Sequence, residues 1–232
     1  MEFIANPGKN CEIEAGGRLY RRHAIRTHFI TTADDILSVV SRYASPCYRQ
    51  GDLLSISEKI VAICQGRIIH RDEIQIGLWA RLLSRFACRQ NRGGYGVGMP
   101  INMQYAIDKV GLIKVLYAAV AAGIGKLRGR HGIFYAIVGQ EVAGLDGFYD
   151  GAWEAYRDIG IEIPHDPSGV CEEIRRCLGI SCMIVDANDF GQVILGYSAD
   201  ITLSEAELLQ LIADNPAGQG QQCTPLILIR PQ

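Results

Sequence analysis

What the chain lacks narrows its function before any motif is read. It has no apolar run of the ~18 residues that a membrane span requires. The longest candidate, Val110 to Leu127, is interrupted by Lys114, Gly123 and Gly125. It has no surplus of charge: 23 Lys and Arg stand against 25 Asp and Glu, a net of -2. A balance that even argues against a phosphate-coating nucleic-acid binder and gives no support for a polybasic membrane patch. Neither CxxC nor HxxxH occurs, which removes zinc ribbons, thioredoxin-type redox motifs and a helical histidine pair for a metal. The GxSxG elbow of serine hydrolases is missing as well. The opening MEFIANPGKNCEIE has no charged-then-apolar signal layout, so a cytoplasmic protein is expected.

What is present is ordinary globular usage, 48% apolar and 21% charged over 232 residues, enough to bury a substantial core. At roughly 150 residues per domain this is one large domain or two small ones. We expect a single unit over 1–232, with any division into subdomains near 95–110. The eight cysteines lie mostly in apolar runs such as ARLLSRFACRQ and read as reduced, buried small hydrophobes. Glycine is in excess at 26 residues, which asks for turns or for close backbone approach to a ligand.

Strand and helix signals alternate irregularly along the chain, which predicts a mixed α/β or α+β fold. TTADDILSVVSRYA reads as a helix capped by Thr32. Leu53 to Ile56 reads as a strand running into a short helix, SEKIVAICQGR, with Ser57 as its cap and Gly66 as its stop. Arg67 to Ile69 reads as a strand and Ile76 to Cys88 as an amphipathic helix. Over the apolar stretch from Val110 to Leu127 we expect a strand at Lys114 to Ala118 and a helix after it. FYAIVGQEVAGLDG reads as two short strands. Asp166 and Pro167 open a helix reaching about Leu178. ISCMIVDAND and GQVILGYS read as strands, Thr202 with Glu205 as a capping box for a helix reaching Ile212, and TPLILIR as the last strand.

Two nucleotide motifs fail on inspection. Lys126 after Gly125 invites a P-loop, but Val120 stands where the first glycine belongs and Leu127 where Ser or Thr would bind magnesium. GIGKLRG is no dinucleotide fingerprint, because Arg128 occupies the third glycine position.

Three polar clusters remain, each with a plainer alternative. Ser57 and Lys59 at a helix start favour an anion; the alternative is a capped helix with a solvated lysine. Lys126, Arg128, Arg130 and His131 could hold an anion or form a solvated basic loop. Asp186, Asn188 and Asp189 follow the apolar Met183-Ile184-Val185. Ligands of α/β sheets gather at the carboxyl ends of strands, and these hard oxygen donors suit Mg²⁺ or Mn²⁺. The alternative there is an Asx-rich turn.

Set side by side, GDLLSISEKIVAICQGRII, VDANDFGQVILG and DNPAGQGQQCTPLILIR resemble the coenzyme F-420:gamma-glutamyl ligase family over about Ile25 to Arg230. Ser57, Lys59 and Gly66 stand where that family has them. Ala62 replaces a family Ser, and Gln65 replaces what is often Glu. Asp186 aligns with a metal-binding Asp, while Ala187 and Asn188 replace Thr and His, leaving Asp189 to supply the lost oxygen. The family's Asn-Ala-Gly-Val-Asp segment survives only as QYAID, which makes Asp108 the second metal ligand that the resemblance suggests. The Gly-Arg-Pro-Phe-Arg segment is absent.

The resemblance implies an unusual α+β fold forming intertwined homodimers. It also implies an enzyme that joins the amine of glutamate to a carboxylate of a deazaflavin coenzyme. GTP (or ATP) would be the co-substrate and Mg²⁺ or Mn²⁺ the assisting ion, with no role for nucleic acid or membrane. Lys59 and Asp186 become the catalytic candidates, with Ser57, Lys59, Lys126, Arg128 and Arg130 on phosphate or the acidic acceptor. The missing motifs keep open a second reading, a non-catalytic homologue that binds nucleotide or metal without turnover.

Overall fold

The computed structural model describes residues 2–87, 96–148, 157–188, 191–218, 220 and 222–232. The chain is α+β and divides into two compact units. Met1–Arg67 with Pro164–Gln232 forms the first and Ile68–Ile163 the second, so the stretch 95–110 lies inside the second.

The first unit is a six-stranded mixed sheet. Strands β1 (Glu12–Ala15) and β2 (Arg18–Ile25) form a hairpin, followed by β3 (Leu53–Ser57), β7 (Cys182–Asn188), β8 (Gly191–Tyr197) and β9 (Leu226–Pro231) in the spatial order β1-β2-β9-β3-β7-β8. Only β3 and β7 run parallel, with Ser57 opposite Val185. Both faces of the central strands are covered, which is why β3, β7 and β9 read as near-continuous apolar runs rather than alternating ones. Helix α9 (Glu205–Leu211) closes one face, where Leu53, Met183, Val185, Ile227 and Ile229 meet Leu208 and Leu211. The other face carries Leu54, Ile56, Cys182 and Ile184 by strand alternation. Helices α1 (Ile36–Tyr43), α2 (Glu58–Cys64) and α8 (Pro167–Leu178) pack together over it.

Capping chemistry corrects three sequence expectations, two in position and one in bonding. Helix α1 is capped by Asp35, whose carboxylate accepts from the Ser38 N–H, and not by Thr32. The capping box of α9 is Ser204 with Glu207, two residues beyond the Thr202–Glu205 pair, so the N–H of Glu207 and of Ser204 are satisfied reciprocally. Ser57 occupies the N-cap position of α2 but its hydroxyl makes no capping bond. Asp166 caps α8 as expected, accepting from the Gly169 N–H.

The second unit holds a small antiparallel sheet in the order β4-β6-β5, made of β4 (Ile68–His70), β5 (Asp146–Gly147) and β6 (Ile159–Ile161). Its bulk is helical: α3 (Leu78–Ser84), α4 (Pro100–Val110), α5 (Leu112–Leu127), α6 (Ile133–Val138) and α7 (Gln140–Ala143) around Ala80, Met103, Tyr105, Val115, Ala118 and Val138. The strand expected at Lys114 to Ala118 is therefore helix, and so is most of FYAIVGQEVA. The first stretch lacks period-2 alternation, and its Ala and Leu content favours a helix once the run exceeds strand length. Helices α4 and α5 bend by 120° at Gly111, and no single helix among the described residues is long and apolar enough to cross a membrane. Inside this unit, Lys109 Nζ lies 2.6 Å from Glu162 Oε1, and the Tyr105 hydroxyl donates to the same oxygen at 2.9 Å.

Candidate functional site

The parallel pairing of β3 with β7 brings two strand carboxyl ends side by side in the first unit. Ser57 is the last residue of β3 and opposes Val185; Asp186 and Glu58 each follow by one residue. Asp186 thus stands level with the first turn of α2, where Lys59 lies. Alternation puts Val185 and Ala187 on the α9 face and Asp186 on the face that α2 and α8 cover. Lys59 and Asp186 are both half-buried, and both are engaged with neighbouring groups.

Ser57 looks the other way. With Ser55, Val185, Ala187, Ile212, Pro216 and Pro225 it lines a cleft of about 20 Å³ on the α9 face. One water molecule needs about 10–15 Å³, so this cleft admits water and excludes a nucleotide base or sugar. A hydroxyl left uncommitted by the helix cap suits that role: Ser57 is available to a water or a small polar group at the strand end. The cleft's far wall is held by Asn6, a residue buried to 7% exposure. Its carboxamide nitrogen donates to the Pro216 and Ala217 carbonyls and to the Thr224 hydroxyl. Sequence reasoning missed Ser55, Asn6 and the 215–217 turn. Ser55 carried a signal, a polar residue inside the apolar run LLSIS. Asn6 carried none, because its partners lie more than two hundred residues away along the chain.

Other candidate residues are accounted for by local structure. The carboxamide oxygen of Asn188 accepts from the Gly191 N–H at 3.0 Å, which is the Asx-turn alternative for that segment. Gln65 is held from both ends by one residue: its nitrogen donates to the His165 carbonyl at 2.8 Å and its oxygen accepts from the His165 N–H at 2.7 Å. This clamp joins the end of α2 to the approach to α8. Asp108, Lys126, Arg128 and Arg130 belong to the second unit. Asp108 accepts from Gln104 one turn earlier on α4. Lys126 lies in the last turn of α5, and Arg128 and Arg130 follow the helix in an exposed loop. Asp189 lies outside the described residues.

No group of three or more His, Cys, Asp or Glu side chains among the described residues could hold a metal ion. Asp186 offers one hard carboxylate at the strand end. Mg²⁺ is commonly held by one or two carboxylates together with substrate phosphates. Among the described residues, one carboxylate at the strand end is compatible with an ion shared with a bound phosphate and does not by itself enclose one.

No protein-family model matches this chain, and no curated protein does.

Proposed function

We propose that the first unit is the working core of a nucleotide- and divalent-metal-dependent amide ligase of the gamma-glutamyl type. The observation that carries this reading is the shared carboxyl end of β3 and β7, to which one part of the sequence brings Ser57 and Lys59 and another brings Asp186, with Ser57 on the opposite face. It is joined by the resemblance of the segments that bear these residues.

A carboxylate is a poor electrophile. Transfer of the terminal phosphoryl group of GTP or ATP to the acceptor carboxylate gives an acyl phosphate and a nucleoside diphosphate. The amine of the amino acid then attacks the acyl carbon, the amide forms and phosphate leaves. Such transfer rests on positioning and on neutralising phosphate charge. Lys59 would hold the transferred phosphoryl oxygens, and Asp186 would hold the Mg²⁺ or Mn²⁺ ion that accompanies the nucleotide. That ion, when bound, screens the phosphate charge. The cleft beside Ser57 and Ser55 is too small for the nucleotide and would admit only a water or a small polar group.

The test is phosphate release by the full chain with Mn²⁺, GTP or ATP, glutamate and a deazaflavin carboxylate acceptor. Turnover is expected, and Lys59→Met and Asp186→Asn are each expected to lower kcat by ~100-fold or more, the scale at which one lost charge contact in a transition state is felt. The Asx turn at Asn188 and the committed Gln65 favour the second reading, a homologue that binds without turnover. Calorimetric binding of nucleotide with no phosphate release would establish it. Neither binding nor release would remove both.

A further inference from the structure

The even charge balance of the whole chain hides a strong local imbalance. From Ile74 to Gln140 there are nine Lys and Arg and a single carboxylate, Asp108. The same stretch supplies nine of the thirteen large apolar side chains that stand exposed among the described residues.

Five of the nine lie on α5. Ile113, Tyr117, Val120, Ile124 and Leu127 are 86, 65, 63, 47 and 89% exposed. Their spacing of four, three, four and three residues makes one stripe along the helix, opposite the buried Val115, Ala118 and Gly125. A helix that is apolar on all sides is normally enclosed, yet α5 is enclosed on one side only. Its two charged residues are Lys114 and Lys126, both exposed, and Arg128 and Arg130 follow directly. None of these four has an ion-pair partner among the described residues.

Charge selects the occupant. A second copy of the chain would set these cations against their equals, with no carboxylate on either stripe. A nucleic acid would satisfy the cations but leave Ile113 and Leu127 in water. An anionic bilayer satisfies both, taking the apolar stripe into the headgroup–acyl boundary and the basic ends onto lipid phosphates and carboxylates. At 16 residues, α5 is about 24 Å long, short of the ~30 Å hydrocarbon core, so it suits lying in the interface plane.

We propose that α5 and the basic loop at its end form a docking surface for an anionic lipid bilayer. Helix α3 of the same unit also exposes Leu78, Trp79 and Leu82 beside Arg81, but the proposal is made for α5 and its loop alone. The proposal does not rest on the ligase reading.

The experiment is cosedimentation of the full chain with phosphatidylcholine vesicles, with and without phosphatidylserine. Binding is expected to need phosphatidylserine and to weaken as salt rises. Each basic residue at such a surface contributes about fivefold in affinity, so Lys126→Gln, Arg128→Gln and Arg130→Gln together should lower partitioning by ~100-fold. Ile113→Gln with Leu127→Gln should abolish it while leaving the thermal melt unchanged, since both side chains are solvent-exposed. The proposal is overturned by absence of binding to anionic vesicles at low salt, or by binding that neither set of changes weakens. It is equally overturned if the stripe changes instead dissociate a dimer of the lipid-free protein, or if only an acidic helical peptide binds.

Discussion

Arg22 offers the sharpest test of how the first unit is held together. It lies on β2 with 1% of its side chain exposed. Its guanidinium grips both oxygens of Asp214, at 2.5 and 2.8 Å, just beyond the end of α9. It also donates to the Leu211 carbonyl at 3.0 Å and to the Asn10 carbonyl at 3.2 Å. Removing one partner of a buried ion pair costs about 3–5 kcal/mol, because the other charge stays behind uncompensated. Two carbonyls would still face Arg22 in Asp214→Ala, and the Asp214 site is 26% exposed, which admits some water. The expected loss is therefore at the low end, about 3 kcal/mol. Asp214→Ala leaves the exposed Asn10 N–H without its acceptor in either variant; adding Arg22→Met removes the stranded charge at the cost of two carbonyls short of a donor, at roughly 1 kcal/mol each. The double variant should then be more stable than Asp214→Ala alone, a rescue by a second core substitution.

Equilibrium urea unfolding followed by circular dichroism measures all of these variants. pH supplies an independent arm. Burial pushes the Asp214 carboxyl up, but the bonds from Arg22 and the Asn10 N–H outweigh it and hold it below its ordinary 3.8. A depressed carboxyl contributes stability that is complete above the unfolded value and is lost as pH falls through the folded one. The wild-type chain should lose this contribution below about pH 4, and Asp214→Ala should not. A double variant less stable than Asp214→Ala would refute the reasoning, since it would mean the cation is not the source of the cost.

Two further outcomes follow from burial and backbone geometry. Burial, aided by nearby Asp34 and Asp35, pushes the Cys64 thiol up to about 12. Contact with Cys171 and burial raise Cys182 as well. Iodoacetamide at mildly alkaline pH should therefore label the exposed Cys177 in the native protein and reach Cys64 and Cys182 only after denaturation; mass spectrometry showing equal rates would contradict this. Gly147 has φ of +121°, and a Cβ there would sit 2.2 Å from the Ile159 carbonyl oxygen. Gly147→Ala should destabilise the β5–β6 pairing by roughly 2–3 kcal/mol. Tryptophan fluorescence can follow it, because Trp79 and Trp153 both fall within the second unit's stretch.

Elements with local chemical signals were legible from sequence. The strand-to-helix passage at Ser57, the Asp166–Pro167 helix start and the closing strand LILIR each carry a cap, a stop or an apolar run that needs no distant partner. Where the signal was apolarity alone, the reading went astray. The Leu112–Leu127 stretch is apolar on every side, so periodicity could not tell a buried strand from a helix, and length was the better guide. The two-residue shift in the α9 cap has a different origin. Thr202–Glu205 and Ser204–Glu207 both fit a capping pattern, so the pattern alone does not choose; the pair used is the one that starts the helix burying Leu208 and Leu211.

The candidate site was legible only in part for a further reason: residue type shows which chemistry is possible, and register shows which face meets it. Ser57, Lys59 and Asp186 were identifiable as types, and β3–β7 pairing does carry them to one end of the sheet. Alternation then separates them, turning Ser57 toward the α9 face and Asp186 toward α2. Asn188 and Gln65 were equally plausible as types, yet each amide is bonded to backbone, Asn188 to nearby Gly191 and Gln65 to His165 of a distant segment. The charge balance is coarse in the same manner. A net of -2 is a sum over the chain, whereas a ligand or a bilayer meets one region of it, and α5 carries two lysines, five exposed apolar side chains and no acid. Function in this molecule is therefore to be sought unit by unit, at the strand ends of the first and along the exposed stripe of α5 in the second.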